Sequence, residues 1–272
     1  GSNSSSPKHF TVYNDKLYFF GYNSDYGNEL YVYDGSSVSL VKDLASGSTG
    51  GINNYAGMVV YKDKLYFQGY ASSTGYELYS YDGTNIVLVK DINSGTSGSN
   101  PQYFTVSDDK LYFTANSKIF YYNGSVVTEA SGTSDLNALF LTAYNDTIYF
   151  EGYNSTYDWE LWGYDISKGA RIIKDIYPGS SGGGHPHMLK VFDNKLYFQA
   201  NAGSAGTELW YYDGNDVGRA ADVYAGGSGS YPDHFYATTK KLYFGASTSS
   251  GGNEPYFVTA SDPLPSIASF TS

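Results

Sequence analysis

The chain has 272 residues, 27 of them acidic and 16 basic, for a formal net charge of −11 at pH 7, and it contains no cysteine. This balance supplies no cationic stripe to neutralise phosphates, which argues against nucleic-acid partners and against an anionic membrane surface. Disulfides and thiolate metal sites are excluded, and no apolar run reaches the roughly 18 residues of a membrane span, so no direct membrane insertion is expected. With 31 Tyr and 15 Phe the chain is rich enough in large apolar groups for a sizeable single core, and 32 Gly spread through loops predict many tight connections.

In chain order, Gly1-Ser2 reads as a scar of tag removal, and residues 1–8 as a linker. The tetrad Lys-Leu-Tyr-Phe, or a near copy, then stands at Lys16–Phe19, Lys64–Phe67, Lys110–Phe113, Thr147–Phe150, Lys195–Phe198 and Lys241–Phe244. Successive spacings are 48, 46, 37, 48 and 46 residues, a mean of about 45, so six units fill the chain. A period in this range with several strands per unit marks a propeller or a solenoid.

The second copy shows the unit. Gly57–Tyr61 and Lys64–Tyr70 flank the polar turn Lys62-Asp63. Tyr76–Tyr81 follows a loop at Ala71–Gly75, and Ile86–Ile92 follows Asp82-Gly83. Aromatic or aliphatic residues alternate with polar ones in each segment, as in half-buried strands. Asp-Gly between two such runs predicts a tight hairpin in which both central residues take positive φ. A Gly/Ser-rich crossover such as Asn93–Asn100 leads to the next unit. Six units of four antiparallel strands predict an all-β fold, a six-bladed β-propeller, over residues 9–262. Its wedge-shaped gaps between twisted sheets account for the aromatic content.

In such a unit the turns Asn14-Asp15 and Asp34-Gly35 fall at one end of the strands. The loop between strands two and three falls at the other end, together with the crossover. Loops on a rigid scaffold are where binding usually sits. The residues predicted to meet a ligand there are Tyr22, Tyr26, Tyr70, Tyr76, Tyr153, Tyr157, Trp159, His187, Tyr231 and His234. Unit 3 shortens its middle loop to Asn116-Ser117, which predicts a notch between units 2 and 4.

Glu-Leu-aromatic-x-x-Asp-Gly appears at Glu29–Gly35, Glu77–Gly83 and Glu208–Gly214, and in part at Glu160–Asp165. Lys-Asp-Leu/Ile follows at Lys42–Leu44, Lys90–Ile92 and Lys174–Ile176. The pattern resembles the ELWxxDGT-type repeat of secreted and surface β-propeller proteins of bacteria and archaea, over about residues 9–260. It departs from that repeat where Tyr31, Tyr79, Phe120 and Tyr256 replace the Trp kept at Trp162 and Trp210. The tail 263–272, Pro-Leu-Pro-Ser-Ile-Ala-Ser-Phe-Thr-Ser, is similar to the opening of a PKD-type domain and is read as a linker or the start of such a domain. The resemblance implies an extracellular, archaeal cell-surface or S-layer protein with further domains in the same chain.

Two sets of repeated acids invite chemistry: Glu29, Glu77, Glu160, Glu208 and Glu254 in one slot, and Asp43, Asp91, Asp175 and Asp222 in another. Paired carboxylates do general acid/base work or hold Ca²⁺, the one cofactor this pattern admits. A residue recurring in nearly every unit more simply serves the unit, with Glu accepting loop N–H groups. His9 and His234 share a repeat slot that would suit a transition metal or two satisfied polar groups. His185-Pro186-His187 has the spacing of no defined site, so no metal centre is assigned. Two arginines cannot build a sialidase cluster, and no Gly-x-Ser-x-Gly elbow is present. The expectation is therefore a non-enzymatic binding, adhesion or envelope module whose loop face meets a glycan or a surface protein. The rival is a polysaccharide lyase or glycosidase using loop-face carboxylates.

Overall fold

Every tetrad opens the second strand of a four-stranded antiparallel sheet. The computed structural model describes residues 4–179, 182–248 and 252–260, and the backbone of 268–269. Sheet 1 runs β1 (Lys8–Tyr13), β2 (Lys16–Asn23), β3 (Gly27–Tyr33), β4 (Val38–Lys42). Sheet 2 runs β5 (Met58–Tyr61), β6 (Lys64–Ala71), β7 (Gly75–Tyr81), β8 (Ile86–Lys90). Sheet 3 runs β9 (Gln102–Ser107), β10 (Lys110–Ala115), β11 (Lys118–Tyr122), β12 (Val127–Glu129). Sheet 4 runs β13 (Leu139–Tyr144), β14 (Thr147–Asn154), β15 (Asp158–Asp165), β16 (Gly169–Lys174). Sheet 5 runs β17 (His187–Phe192), β18 (Lys195–Asn201), β19 (Thr207–Tyr212), β20 (Val217–Ala221). Sheet 6 runs β21 (Asp233–Ala237), β22 (Lys241–Thr248), β23 (Gly252–Thr259), β24 (Ala268–Ser269). Each sheet joins four consecutive strands in order. The chain divides into two compact units, Gly1–Glu129 with sheets 1 to 3 and Ala130–Ser272 with sheets 4 to 6.

Within each unit the core lies between successive sheets, which is why the tetrads are apolar on both faces. Tyr18, Phe20 and Leu30 of sheet 1 pack on Leu65, Phe67 and Tyr79 of sheet 2. Tyr66 and Leu78 of sheet 2 meet Leu111 and Phe113 of sheet 3. In the second unit, Tyr149 and Leu161 meet Leu196 and Phe198, and Tyr197 and Leu209 meet Leu242 and Phe244. A tyrosine closing the first strand joins neighbouring sheets by donating to the next sheet's turn: Tyr13 to the Asp63 carbonyl (2.8 Å), Tyr61 to Asp109 (2.7 Å) and Tyr144 to Asn194 (2.7 Å).

The turns depart from the expectation in one respect. Positive φ at both central residues occurs in the first turns, Asn14-Asp15, Lys62-Asp63, Asp108-Asp109, Asn145-Asp146 and Asp193-Asn194. The Asp-Gly sites are four-residue loops in which glycine alone has positive φ (Gly35, 100°). There the aspartate side chain does the work instead: Asp34 Oδ1 accepts the N–H groups of Ser36 (2.9 Å) and Ser37 (2.8 Å), an Asx turn. The two-residue turn Asn116-Ser117 of sheet 3 is as short as expected.

Both ends of the chain enter the sheets further than the linker assignments placed them. The Ser5 carbonyl accepts the Tyr22 N–H (2.7 Å) and β1 begins at Lys8. Ala268–Ser269 pairs with Tyr256 and Phe257, so the last strand of sheet 6 comes from the tail given to a following domain. Residues 1–3, 263–267 and 270–272, the rest of those assignments, lie outside the described residues.

Candidate functional site

The repeated glutamates are occupied. Glu29, Glu77, Glu160 and Glu208 are fully buried at the start of each third strand, and each accepts hydrogen bonds from its own crossover. Glu29 takes the Gly51 N–H (2.6 Å), and Glu77 takes those of Ile92 and Asn93 (both 3.1 Å) and the Ser99 hydroxyl (2.5 Å). Glu160 takes Ile176 (2.8 Å), Tyr177 (3.2 Å) and Gly184 (2.7 Å), and Glu208 takes Val223 (3.0 Å) and both polar groups of Ser230. Burial raises the affinity of three of them for a proton: Glu29 is pushed up to about 7, and Glu160 and Glu208 also lie above the ordinary range. The fifth, Glu254, is exposed. This slot is scaffold.

A different carboxylate stands out one place beyond the tetrad. That position is Phe20, Gln68, Thr114, Glu151, Gln199 and Gly245 in the six sheets, acidic only in sheet 4. In sheet 2 the Gln68 amide donates to the Pro101 carbonyl of the following crossover (3.2 Å). Glu151 occupies the same slot on β14, with its side chain 1% exposed, and meets the crossover into sheet 5 at His185-Pro186-His187. His185 Nδ1 is 2.9 Å from Glu151 Oε1, and His187 Nδ1 is 2.8 Å from Oε2. The second pair lacks the alignment of a hydrogen bond, so both buried atoms converge without bonding each other.

The local fold holds this arrangement rigidly. His185 has φ 45°, and its N–H donates to the Trp159 carbonyl (3.0 Å). Asn100 and Tyr231 are left-handed at the same slot of sheets 3 and 6, so the conformation belongs to the repeat and only the imidazole is special. Gly184 before it is anchored on Glu160, and Pro186 fixes φ between the two histidines. His187 opens β17 opposite Gln199.

An aromatic row continues from the histidines. His187 lies 5.7 Å from His185 with rings nearly parallel (20°), His185 lies 6.0 Å from Trp159 (24°), and Trp159 lies 5.3 Å from Tyr153. Phe140 stands edge-on to His187 at 5.0 Å. Three of the predicted residues, Tyr153, Trp159 and His187, thus fall in one place. Glu151 and His185 were missed.

The other predicted residues do not join them. Tyr157 turns its ring to Trp162 (6.1 Å). In the first unit Tyr22 lines an apolar cleft of about 330 Å³ with Phe10, Phe19 and Tyr31, and Tyr26 is 38% exposed. Tyr70 and Tyr76 face each other across their hairpin at 5.0 Å. Tyr231 is exposed, and His234 sits at the bulge of β21 with Nδ1 2.8 Å from Asp233 Oδ1. His9 occupies the corresponding bulge of β1, where Nε2 lies 3.0 Å from the Asn54 carbonyl and burial lowers its affinity for a proton.

No protein-family profile and no curated protein sequence matches the chain. Among solved structures, it is similar to the extracellular domain assigned to a one-component system of B. thetaiotaomicron (17% identity, TM-score 0.61), covering 100% of this chain and 34% of that one. It is also similar to the β-propeller domain of the Trilobed protease of Pyrococcus furiosus, described as having an open velcro topology (14% identity, TM-score 0.60, covering 98% and 84%). A third likeness is to a prolyl endopeptidase (13% identity, TM-score 0.66, covering 98% and 42%). At these identities the likeness is one of fold. The all-β chain of six four-stranded antiparallel sheets is consistent with a β-propeller.

Proposed function

We propose that this chain is a non-enzymatic binding module, a closed six-bladed propeller of an extracellular surface protein that presents the loop end of sheets 4 and 5 to a glycan. The observation that carries this reading is the row Tyr153–Trp159–His185–His187, four rings in succession on one hairpin and the end of its crossover. Flat rings stack on the apolar faces of sugars. The rival glycosidase reading needs a pair of free carboxylates flanking a cleft. The repeated glutamates do not favour it, because the oxygens of Glu77, Glu160 and Glu208 are engaged by crossover N–H and hydroxyl groups. An extracellular setting is supported by the likeness to an extracellular domain. Among the described residues, no helix is long and apolar enough to cross a membrane. Neighbouring domains of the same chain are the other partners this reading admits.

The test is a glycan array with the purified chain. Selective signals should vanish with Trp159→Ala and survive Tyr22→Ala. An array without signal, or one indifferent to Trp159, would overturn the glycan reading in favour of an architectural role.

A further inference from the structure

We infer that Glu151, His185 and His187 form a binding site for a transition-metal dication of the Zn²⁺ class. One ligand atom from each, a carboxylate oxygen and two imidazole nitrogens, lies within 4.8 Å of the others. Two imidazoles and one carboxylate are a donor set that Zn²⁺ accepts, as do Cu²⁺, Ni²⁺ and Co²⁺, leaving a further position for water. The inference shares His185 and His187 with the glycan reading but uses their ring nitrogens rather than their ring faces.

Three observations separate this from an ordinary ion pair. First, the slot needs no charge. Gln68 serves it in sheet 2 with a neutral amide donating to a backbone carbonyl, and Gln199 stands there in sheet 5. A carboxylate with 1% exposure carries a desolvation cost that a glutamine avoids, and the partners of Glu151 are two imidazoles rather than the crossover N–H groups that engage Glu77, Glu160 and Glu208. Second, both histidines turn the same nitrogen, Nδ1, to that one carboxylate, at 2.9 Å and 2.8 Å. Third, His187 Nδ1 and Glu151 Oε2 are buried and close yet not aligned with each other. Two groups aimed at a common third point have this geometry. The left-handed His185, the intervening Pro186 and the anchored Gly184 preorganise the set before any ion arrives. His185, with its side chain 41% exposed, gives the ion its route from solvent.

The experiment is calorimetric titration of the intact, metal-stripped chain with Zn²⁺, together with the visible absorption of its Co²⁺ complex. One ion per chain should bind, and Co²⁺ should give the intense bands of a low-coordinate site. Glu151→Gln, which places in sheet 4 the residue that sheets 2 and 5 already carry, should weaken Zn²⁺ by more than about a hundredfold and abolish the bands. Loss of a direct ligand should exceed the 10–100-fold typical of outer-shell changes. His187→Asn should do the same, and it keeps the test alive if Glu151→Gln misfolds by circular dichroism. His234→Ala, at an exposed histidine outside the cluster, should change nothing. Absence of binding in the unaltered chain, or full affinity in folded Glu151→Gln and His187→Asn, would overturn the inference and leave a histidine–carboxylate ion pair. Neither result bears on the array signal of Trp159→Ala, so the two readings fail separately.

Discussion

Replacing Glu160 by alanine asks how much a sheet and its crossover depend on the buried carboxylate. The side chain accepts three backbone N–H groups: Ile176 at 2.8 Å, Tyr177 at 3.2 Å and Gly184 at 2.7 Å. Ile176 and Gly184 are buried and Tyr177 is partly so, which leaves two donors with little access to water and one that can recruit it. An orphaned buried donor costs about 1–3 kcal/mol, and the rehydrated third costs less, for a gross loss of roughly 3–6 kcal/mol. Relief of the desolvation that already raises the proton affinity of Glu160 offsets part of this, so the expected net loss is about 3 kcal/mol. Glu254 supplies the control, being the same repeat position but exposed. Its alanine variant should stay within about 0.5 kcal/mol of the parent. Urea denaturation reads the difference as a midpoint shift of about 1–3 M at a slope of 1–3 kcal/mol/M. Hydrogen exchange should show lost protection at the Ile176 and Gly184 amides. If Glu160→Ala and Glu254→Ala unfold together, the carboxylates are not scaffold, and the glycosidase reading regains its acids.

Tyr61→Phe removes the 2.7 Å bond to the exposed turn at Asp109 while keeping the ring in the core between sheets 2 and 3. Water replaces the lost donor at the Asp109 carbonyl, so urea denaturation should show a loss of only about 0.5–1.5 kcal/mol; a loss beyond about 3 would mean the hydroxyl does more than join the sheets. Stability should also depend on pH through Glu29, whose affinity for a proton rises from the ordinary 4.5 to about 7 because it is buried. Between those values the folded chain holds a proton that the unfolded chain has released, so stability falls as pH rises from about 4.5 to 7, by about 3 kcal/mol for this group. The turn aspartates Asp34, Asp82 and Asp213 act in the opposite sense, because N–H bonds hold them below the usual carboxylate range and their contribution disappears as pH falls below about 4. Urea midpoints from pH 4 to 8 should therefore decline, and Glu29→Gln should flatten the decline; an unchanged slope in that variant would refute the assignment.

The fold was legible because its signals are local and repeated. In the second unit, strands expected at Lys64–Tyr70 and Tyr76–Tyr81 occur at Lys64–Ala71 and Gly75–Tyr81. The fourth strand stops at Lys90 rather than Ile92, because the Ile92 N–H leaves the ladder for Glu77. Asp-Gly misled for a similar reason: the aspartate side chain offers an acceptor to the amides two and three residues on, so the backbone need not form the tighter turn. Whether Tyr22 lines a cleft or Tyr157 packs on Trp162 depends on contacts with no periodic signal.

The Glu151 cluster was illegible for a deeper reason, which bears on repeat chains generally. Its members lie 34 and 36 positions apart, so no local spacing joins Glu151 to His185 or His187. They meet because the residue after the tetrad in one sheet faces the crossover entering the next, a relation set by stacking rather than by chain order. A search along the sequence discards His185-Pro186-His187 as a motif without partners. Comparing equivalent positions across the repeats finds it: Phe, Gln, Thr, Glu, Gln and Gly in one slot mark sheet 4 as the exception. The crossover slot that faces sheet 2 holds Asn100 and Gln102, and the one that faces sheet 5 holds Tyr231 and Asp233. Neither offers two imidazoles to a carboxylate. In a stacked repeat, chemistry shows where deviations in two different slots fall on adjoining sheets, and here both fall at the step from sheet 4 to sheet 5.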